Sequence, residues 1–423
     1  MGFIKNFSSL ASTPDREKIL TLVEAGLRAI QPEQVVKKQV VLHNTFLRIQ
    51  ENTYNLTQFE RIFLVGIGKG SGSIASILEN ILGEHLTDGY VIDNVRQTMF
   101  HHIRFTLGTH PLPSETNIAF TKNVLQKLNH LSEKDLVLVV VCGGGSAIFE
   151  APARIDLKTV IHTFKELLNS GAAISEINVV RKHLSLVKGG NFAKHLYPAT
   201  IVSLLFSDVP GNDISVIASG PTVKDEKTVQ DAIAILQKYH ITSVSEKDLI
   251  ETPKEDKYFA HVSNLIMVSN MTAIKAINEK AKSLDFLPRI FSDRVEGGAK
   301  TIGRKLIDET KKGELLISGG ETTVHVSGKG RGGRNQEVVL GGLPYVGNDT
   351  IIVSWDSDGI DFDTFSGAIG DKNTVKKAQS LGLDGQEFLA NDNALVFFEK
   401  TGDGILTGKL ESNVSDLFLV YKK

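Results

Sequence analysis

A single cysteine, Cys142, stands in a chain of 423 residues. One cysteine cannot make an internal disulfide, and no metal site built from several thiolates can form. That usage fits a reducing compartment, and the chain reads as cytoplasmic. A basic excess is also missing: 47 Lys and Arg stand against 49 Asp and Glu, for a net charge of −2. Broad nucleic-acid or anionic-membrane surfaces need a large positive surplus, so neither partner is expected. A small local anion site remains compatible with this balance. Long apolar runs are lacking too. The longest, LVLVVVC at 136–142, falls far short of the roughly 20 residues of a membrane helix. Lys5, Asp15, Arg16, Glu17 and Lys18 break up the first thirty residues, leaving no apolar core for a signal peptide. There is no internal repeat, heptad or low-complexity tract.

What remains is ordinary globular composition, 41% hydrophobic and 23% charged. At roughly 150 residues per domain the length predicts two domains, with three as the alternative. Short apolar runs stopped by Gly, Asp or Asn recur along the chain: FLVGIG at 63–68, LVLVVVCGGG at 136–145, IVSLLFSD at 201–208, LIMVSN at 265–270, LLISGG at 315–320 and IIVSWD at 351–356. Each reads as a buried strand. Amphipathic stretches such as Ser114 to Leu131 and Asp156 to Leu168 lie between them. Alternation of this kind predicts an α/β protein with parallel sheets covered on both faces. The polar segment 243–260 suggests a domain boundary, dividing the chain into 1–250 and 251–423, although a long surface excursion would read the same. Glycine becomes dense beyond about residue 310, and TVHVSG at 323–328 alternates like a strand with one exposed face.

In open parallel sheets ligands collect beyond the carboxyl ends of the strands, and here those ends carry small and polar residues. GIGKGSG at 66–72 lacks the third glycine of a dinucleotide fingerprint, which argues against a nicotinamide cofactor. Lys69, beside Gly68, could reach a phosphate together with helix N-terminal amides, or could be a solvated lysine in a tight turn. Gly143, Gly144 and Gly145 expose amides ahead of Ser146 and form a candidate anion cradle. No Walker sequence and no Gly-x-Ser-x-Gly elbow occurs. Arg181 and Lys188 flank a basic cluster, RKHLSLVK, that a solvated helix face would also explain. Asp208 ends a buried strand, where it could hold a metal, orient a hydroxyl or act as a base. His110 reads as structural as readily as functional. The sharpest segment is SGGETTVHVSGKGRGGRNQE at 318–337. There Glu321 follows two glycines, and Arg334 follows Gly333 and precedes Asn335 at an expected helix start. Arginine offers a rigid fork of donors suited to phosphate or carboxylate oxygens. Asn270, at the end of LIMVSN, joins the candidate ligand residues.

Taken in order, GKGSGSIA, HPLP, CGGGSAIFEAP, VRKHLSLVKGG, SDVPGNDISVIASGPT, GGETTV and GGRNQE resemble the glycerate 2-kinase family. The match runs from about residue 60 onward. It implies an N-terminal three-layer α/β/α domain with a parallel sheet, a smaller C-terminal α/β domain known as MOFRL at about 310–423, and an active site in the cleft between them. It also implies ATP and Mg²⁺ as cofactors, and phosphorylation of the 2-hydroxyl of D-glycerate. The family's functional lysine falls on Lys69 and its functional arginine on Arg334. Candidate metal ligands are Asp208, Glu321 and Asp358, without a ranking of ligand against base. Two loops depart from the family pattern: WDSDGIDFDT at 355–364, and TGKLESNVSD at 407–416. Asn212 stands where Asp is usual. The competing readings are a kinase for another small hydroxy acid, a hydroxypyruvate reductase, and a non-catalytic metabolite-binding relative.

Overall fold

The computed structural model describes residues 2–97 and 99–423. They gather into two compact units, one from residues 35–207 and 212–267, the other from residues 2–34, 208–211 and 268–423. The polar segment 243–260 lies within the first of these, and the chain passes to the second between Met267 and Val268.

In the first unit a small antiparallel sheet, β1 (Val40–His43), β2 (Phe46–Ile49) and β3 (Asn52–Asn55), precedes the main sheet. That sheet holds β4 (Arg61–Ile67), β5 (Asp88–Asp93), β6 (Ile103–Leu107), β7 (Asp135–Val141), β8 (Thr200–Phe206) and β9 (Val262–Val268), in the order β6-β5-β4-β7-β8-β9. Pairing from β6 through β8 is parallel, as the alternating pattern predicts. Every residue of β7 is buried, which explains its unbroken run of Val and Leu: a central parallel strand has two covered faces. The order reverses between β4 and β7, so their carboxyl ends form a topological switch point. There Cys142 N–H donates to Ile67 O and Lys69 N–H donates to Gly143 O, both at 2.9 Å, tying the 66–72 and 142–146 loops together. Helices Glu115–Lys127 and Leu157–Asn169 start where expected, because Ser114 and Asp156 accept from the amides of Asn117 and Thr159.

The second unit's sheet is built from β10 (Leu287–Gly298), β11 (Glu314–Thr323), β12 (Thr350–Asp356), β13 (Gly367–Asp371), β14 (Gly404–Ile405) and β15 (Asp416–Lys422), ordered β10-β11-β15-β12-β13-β14. Here the expectation of a parallel sheet fails. Only β10 and β11 run parallel; the other pairings are antiparallel. The reason is β15, which inserts between β11 and β12 and runs against both. The loop from β12 to β13 is also too short for a helical crossover. TVHVSG does not form the expected strand either. β11 stops at Thr323, and the following glycine-rich loop is pinned by Asp392, which accepts from the amides of Ser327 and Gly328.

The core of this unit packs Leu316, Ile352, Phe418 and Val420 of the sheet against Val338 and Val339 of helix Arg334–Gly342. Helix Pro14–Ala29 belongs to the same unit and packs on helix Asn270–Lys282. Its Arg16 is buried, with ion pairs of 2.7 Å to both Asp371 and Asp403. Among the described residues no helix is long and apolar enough to cross a membrane.

Candidate active site

Two groups of side chains carry chemistry, one in each unit. In the first, half-buried Lys69 follows Gly68, whose amide, just past β4, donates to Ile92 O of β5. Gly144 sits in the left-handed region with φ of 74°, and a Cβ there would meet the His110 ring at 2.9 Å and Lys69 Cε at 3.1 Å. Glycine is therefore required where these two side chains fold over the 143–145 backbone. Burial lowers the affinity of His110 for a proton, and the Lys69 ammonium lowers it further. His110, ambiguous in the sequence, thus joins Lys69. At the amino end of helix Ser71–Leu82, Asp93 accepts from Gly72 N at 3.0 Å, so a carboxylate already occupies that helix start.

The basic cluster is mostly internal. Lys188 is fully buried, pairs with Glu150 at 2.6 Å and donates to Phe149 O at 3.0 Å. Burial weakens its hold on the proton, and Glu150 opposes that effect. Lys182 pairs with Asp225 at 3.0 Å, and the His183 ring contacts Val179 O at 2.8 Å. The structure therefore gives Lys188 an internal partner rather than a ligand: a buried cation needs a carboxylate, and this one has it. Arg181 is partly exposed, stacks on Phe164 and donates to Asn178.

In the second unit the antiparallel register sets Asp356 of β12 directly opposite Asp416 of β15. Facing carboxylates repel, and Arg334 bridges them. Its Nε donates to both oxygens of Asp416 at 2.8 and 2.9 Å, its Nη2 donates to Asp356 at 3.0 Å, and its Nη1 lies 3.3 Å from Glu321. Burial alone would weaken the guanidinium's charge, but Asp416 and Asp356 outweigh it and hold the proton more firmly than usual. Burial and the charges of Asp416 and Asp358 push Asp356 up, while burial raises Asp416 against the pull of Arg334 and Asn335. Glu321 is raised as well, first by burial and then by the charges of Asp416 and Asp208, against the pull of Arg334.

Asp361 caps helix Arg334–Gly342 by accepting from the amides of Asn335 and Gln336, each at 3.0 Å. A Cβ on Gly333 would fall 2.2 Å from the Asp361 carboxyl carbon, so this approach demands glycine. Burial raises Asp361 to about 6. Asn335 is fully buried, and its amide hydrogens go to Asp361 and Asp416 while its oxygen accepts from Ser354. Expected to touch a ligand, it instead ties the helix cap Asp361 to Asp416, the carboxylate that Arg334 Nε contacts, because its donors are already used. Asn270 is buried, donates to Asp293 O at 2.7 Å and lies against Gly319.

Two family models match the chain in succession. The chain matches a domain of unknown function (DUF4147) over residues 18–251 and the MOFRL family over 314–416. A D-glycerate 2-kinase from Thermotoga maritima is 35% identical across 95% of this chain and 96% of its own. The chain belongs to the glycerate 2-kinase family. The crystal structure of a Thermotoga maritima glycerate kinase superposes with a TM-score of 0.87 at 32% identity, covering 97% of this chain and 100% of that one. A relative from Agrobacterium vitis, 32% identical over 84% of this chain and 86% of its own, bears the name putative hydroxypyruvate reductase.

The two loops that depart from the family pattern meet in this fold. Leu410 N donates to Asp358 O at 2.7 Å, and Thr407 Oγ1 donates to Gly359 O at 3.0 Å. Ser415 Oγ donates to Asp208 O at 2.6 Å, drawing Asp208 to the β15 end of the sheet near Glu321. The Asp358 carboxylate accepts from Ile360 N, and its amide donates to Asp356. Among the described residues no three His, Cys, Asp or Glu side chains are grouped to hold a metal ion. Mg²⁺ commonly takes one or two carboxylates and completes its shell with phosphate oxygens and water. Glu321, raised first by burial and then by the charges of Asp416 and Asp208, has the chemistry for such a cation. Sequence reasoning passed over Asp416; its signal is the strand register, which no spacing reveals.

Proposed function

We propose that this enzyme transfers the γ-phosphoryl group of ATP to the 2-hydroxyl of D-glycerate, giving 2-phosphoglycerate and ADP. Near-full-length likeness to a D-glycerate 2-kinase carries the reading, together with an arginine fork that three carboxylates hold in place. In phosphoryl transfer the protein mainly positions reactants and neutralises charge. Lys69 and the donor hydrogens that Arg334 retains supply positive charge to phosphate oxygens, and the 143–145 amides add neutral donors. The hydroxyl oxygen attacks phosphorus in line as the bond to the β-phosphate oxygen breaks. Glu321, with its raised proton affinity, or Asp208 accepts the hydroxyl proton. Mg²⁺, held by Glu321 and Asp208, would neutralise phosphate charge when bound. The reaction fits a cytoplasmic protein.

Hydroxypyruvate reduction fares worse, because Asp93 fills the helix start where a dinucleotide's pyrophosphate would lie. The deciding experiment incubates the protein with ATP, Mg²⁺ and D-glycerate and identifies the product. Direct conversion of that product by enolase establishes 2-phosphoglycerate. No product from folded, ATP-binding protein redirects the reading to another hydroxy acid or to a metabolite-binding relative, and NADH oxidation with hydroxypyruvate would revive the reductase.

A further inference from the structure

Ser146 is half-buried in the short helix Gly145–Ile148, directly after the loop that Lys69 and His110 cover. Its hydroxyl proton is placed by hydrogen bonds running inward. Arg181 Nη1 donates to Asn178 Oδ1 at 3.0 Å. Arginine has donors only, so the Asn178 amide must turn its oxygen that way; a flipped amide would set N–H against N–H. Ser219 Oγ lies 3.2 Å from the same oxygen. A carbonyl oxygen cannot donate, so Ser219 gives its single proton to Asn178. Otherwise two oxygens would face each other with no hydrogen between them, at a serine that is wholly buried. Ser219 can then only accept from Ser146, whose Oγ is 2.8 Å away. Ser146 therefore sends its proton inward and can only accept from any further partner.

The backbone holds this arrangement. Ala218 and Ser219 have φ of 49° and 62°, left-handed values that persist in non-glycine residues only where the surroundings over-determine them. A Cβ on Gly145 would lie 2.6 Å from Ala218 Cβ, so the strained turn is pressed against the start of the Ser146 helix.

We infer that Ser146 is a hydrogen-bond acceptor for the hydroxyl of the bound hydroxy acid rather than a donor to its charged oxygens, with Asn178 and Ser219 as positioning residues that fix the direction. The identity of the donor rests on the kinase reading above; the direction of the proton rests on the geometry alone. A lone pair at Ser146 repels a phosphate or carboxylate oxygen and welcomes an O–H. The loop thus separates the two ends of a hydroxy acid, leaving its anionic end to the cations.

Neutron diffraction from deuterium-exchanged crystals tests the direction without any substrate. A deuteron on Ser146 pointing at Ser219 is expected; one on Ser219 pointing at Ser146 would overturn the inference. In kinetics, Ser146→Ala should raise KM for D-glycerate about tenfold, the loss of one hydrogen bond, and leave KM for ATP within about twofold. Weakened ATP binding with an unchanged KM for D-glycerate would refute the role. Asn178→Leu should reproduce the rise and Asn178→Asp, whose carboxylate accepts from both donors, should reverse it. If both substitutions act alike, the positioning role fails. Should the wild-type protein not phosphorylate D-glycerate, the reaction reading falls by itself and the neutron map still decides the proton.

Discussion

Arg334 satisfies three carboxylates with one planar fork, and that geometry makes its chemistry hard to imitate. Arg334→Lys keeps the charge, but an ammonium cannot span Asp416, Asp356 and Glu321 together. Steady-state assays should show turnover reduced at least about a hundredfold, with the circular-dichroism spectrum retained. Lys69→Ala should lose at least as much, since it removes the ammonium that lies over Gly144. One turn further along the same helix, Glu337 is buried with Oε2 unpartnered and Lys300 at 3.9 Å. Burial is the main cause that raises it to about 7. The folded protein thus keeps a proton that the unfolded chain releases near 4.5. Stability from this group is full at low pH and is lost as pH rises through about 7. Thermal melts of Glu337→Gln should match wild type near pH 5 and exceed it at pH 8.

At the scale of the element, the start of helix Arg334–Gly342 decides where the arginine points. Gly333→Ala drives a methyl group into Asp361 and displaces the cap. We expect a loss of about 1–3 kcal/mol in urea unfolding, accompanied by reduced turnover. Lys69, Glu321 and Arg334 stood out as candidates in the sequence because glycines surround them at strand ends, a local signal. Asp416 was not, since its meaning comes from lying opposite Asp356 across paired strands far apart in sequence. Lys188 and Asn335 misled for the opposite reason. A polar residue in a motif looks the same whether it meets a ligand or a buried partner, and only packing separates the cases. The six strands read from apolar runs all formed, yet the run at 323–328 did not, because Asp392 claims the amides of its last two residues, Ser327 and Gly328, for a loop.

For the whole molecule, strand and helix rhythm sufficed for the α/β class but not for the topology of the second sheet, where an antiparallel strand arrives from far along the chain. The early helix Pro14–Ala29 serves that same unit, anchored by Arg16 between Asp371 and Asp403. Arg16→Met would leave two buried carboxylates without their cation and should cost about 3–5 kcal/mol by denaturant titration. The central place of β15 has a further consequence for biosynthesis. At about 5–20 residues per second, the ribosome lays down residues 35–267 long before it reaches 416–422. The first unit can fold while translation continues, whereas β11 and β12 wait for the strand that joins them. Arg334 emerges ahead of its principal counter-ion, so a nascent chain interrupted before residue 416 carries no formed arginine site. Premature termination therefore yields no partly active enzyme, and phosphotransfer competence arrives only as synthesis reaches that final central strand.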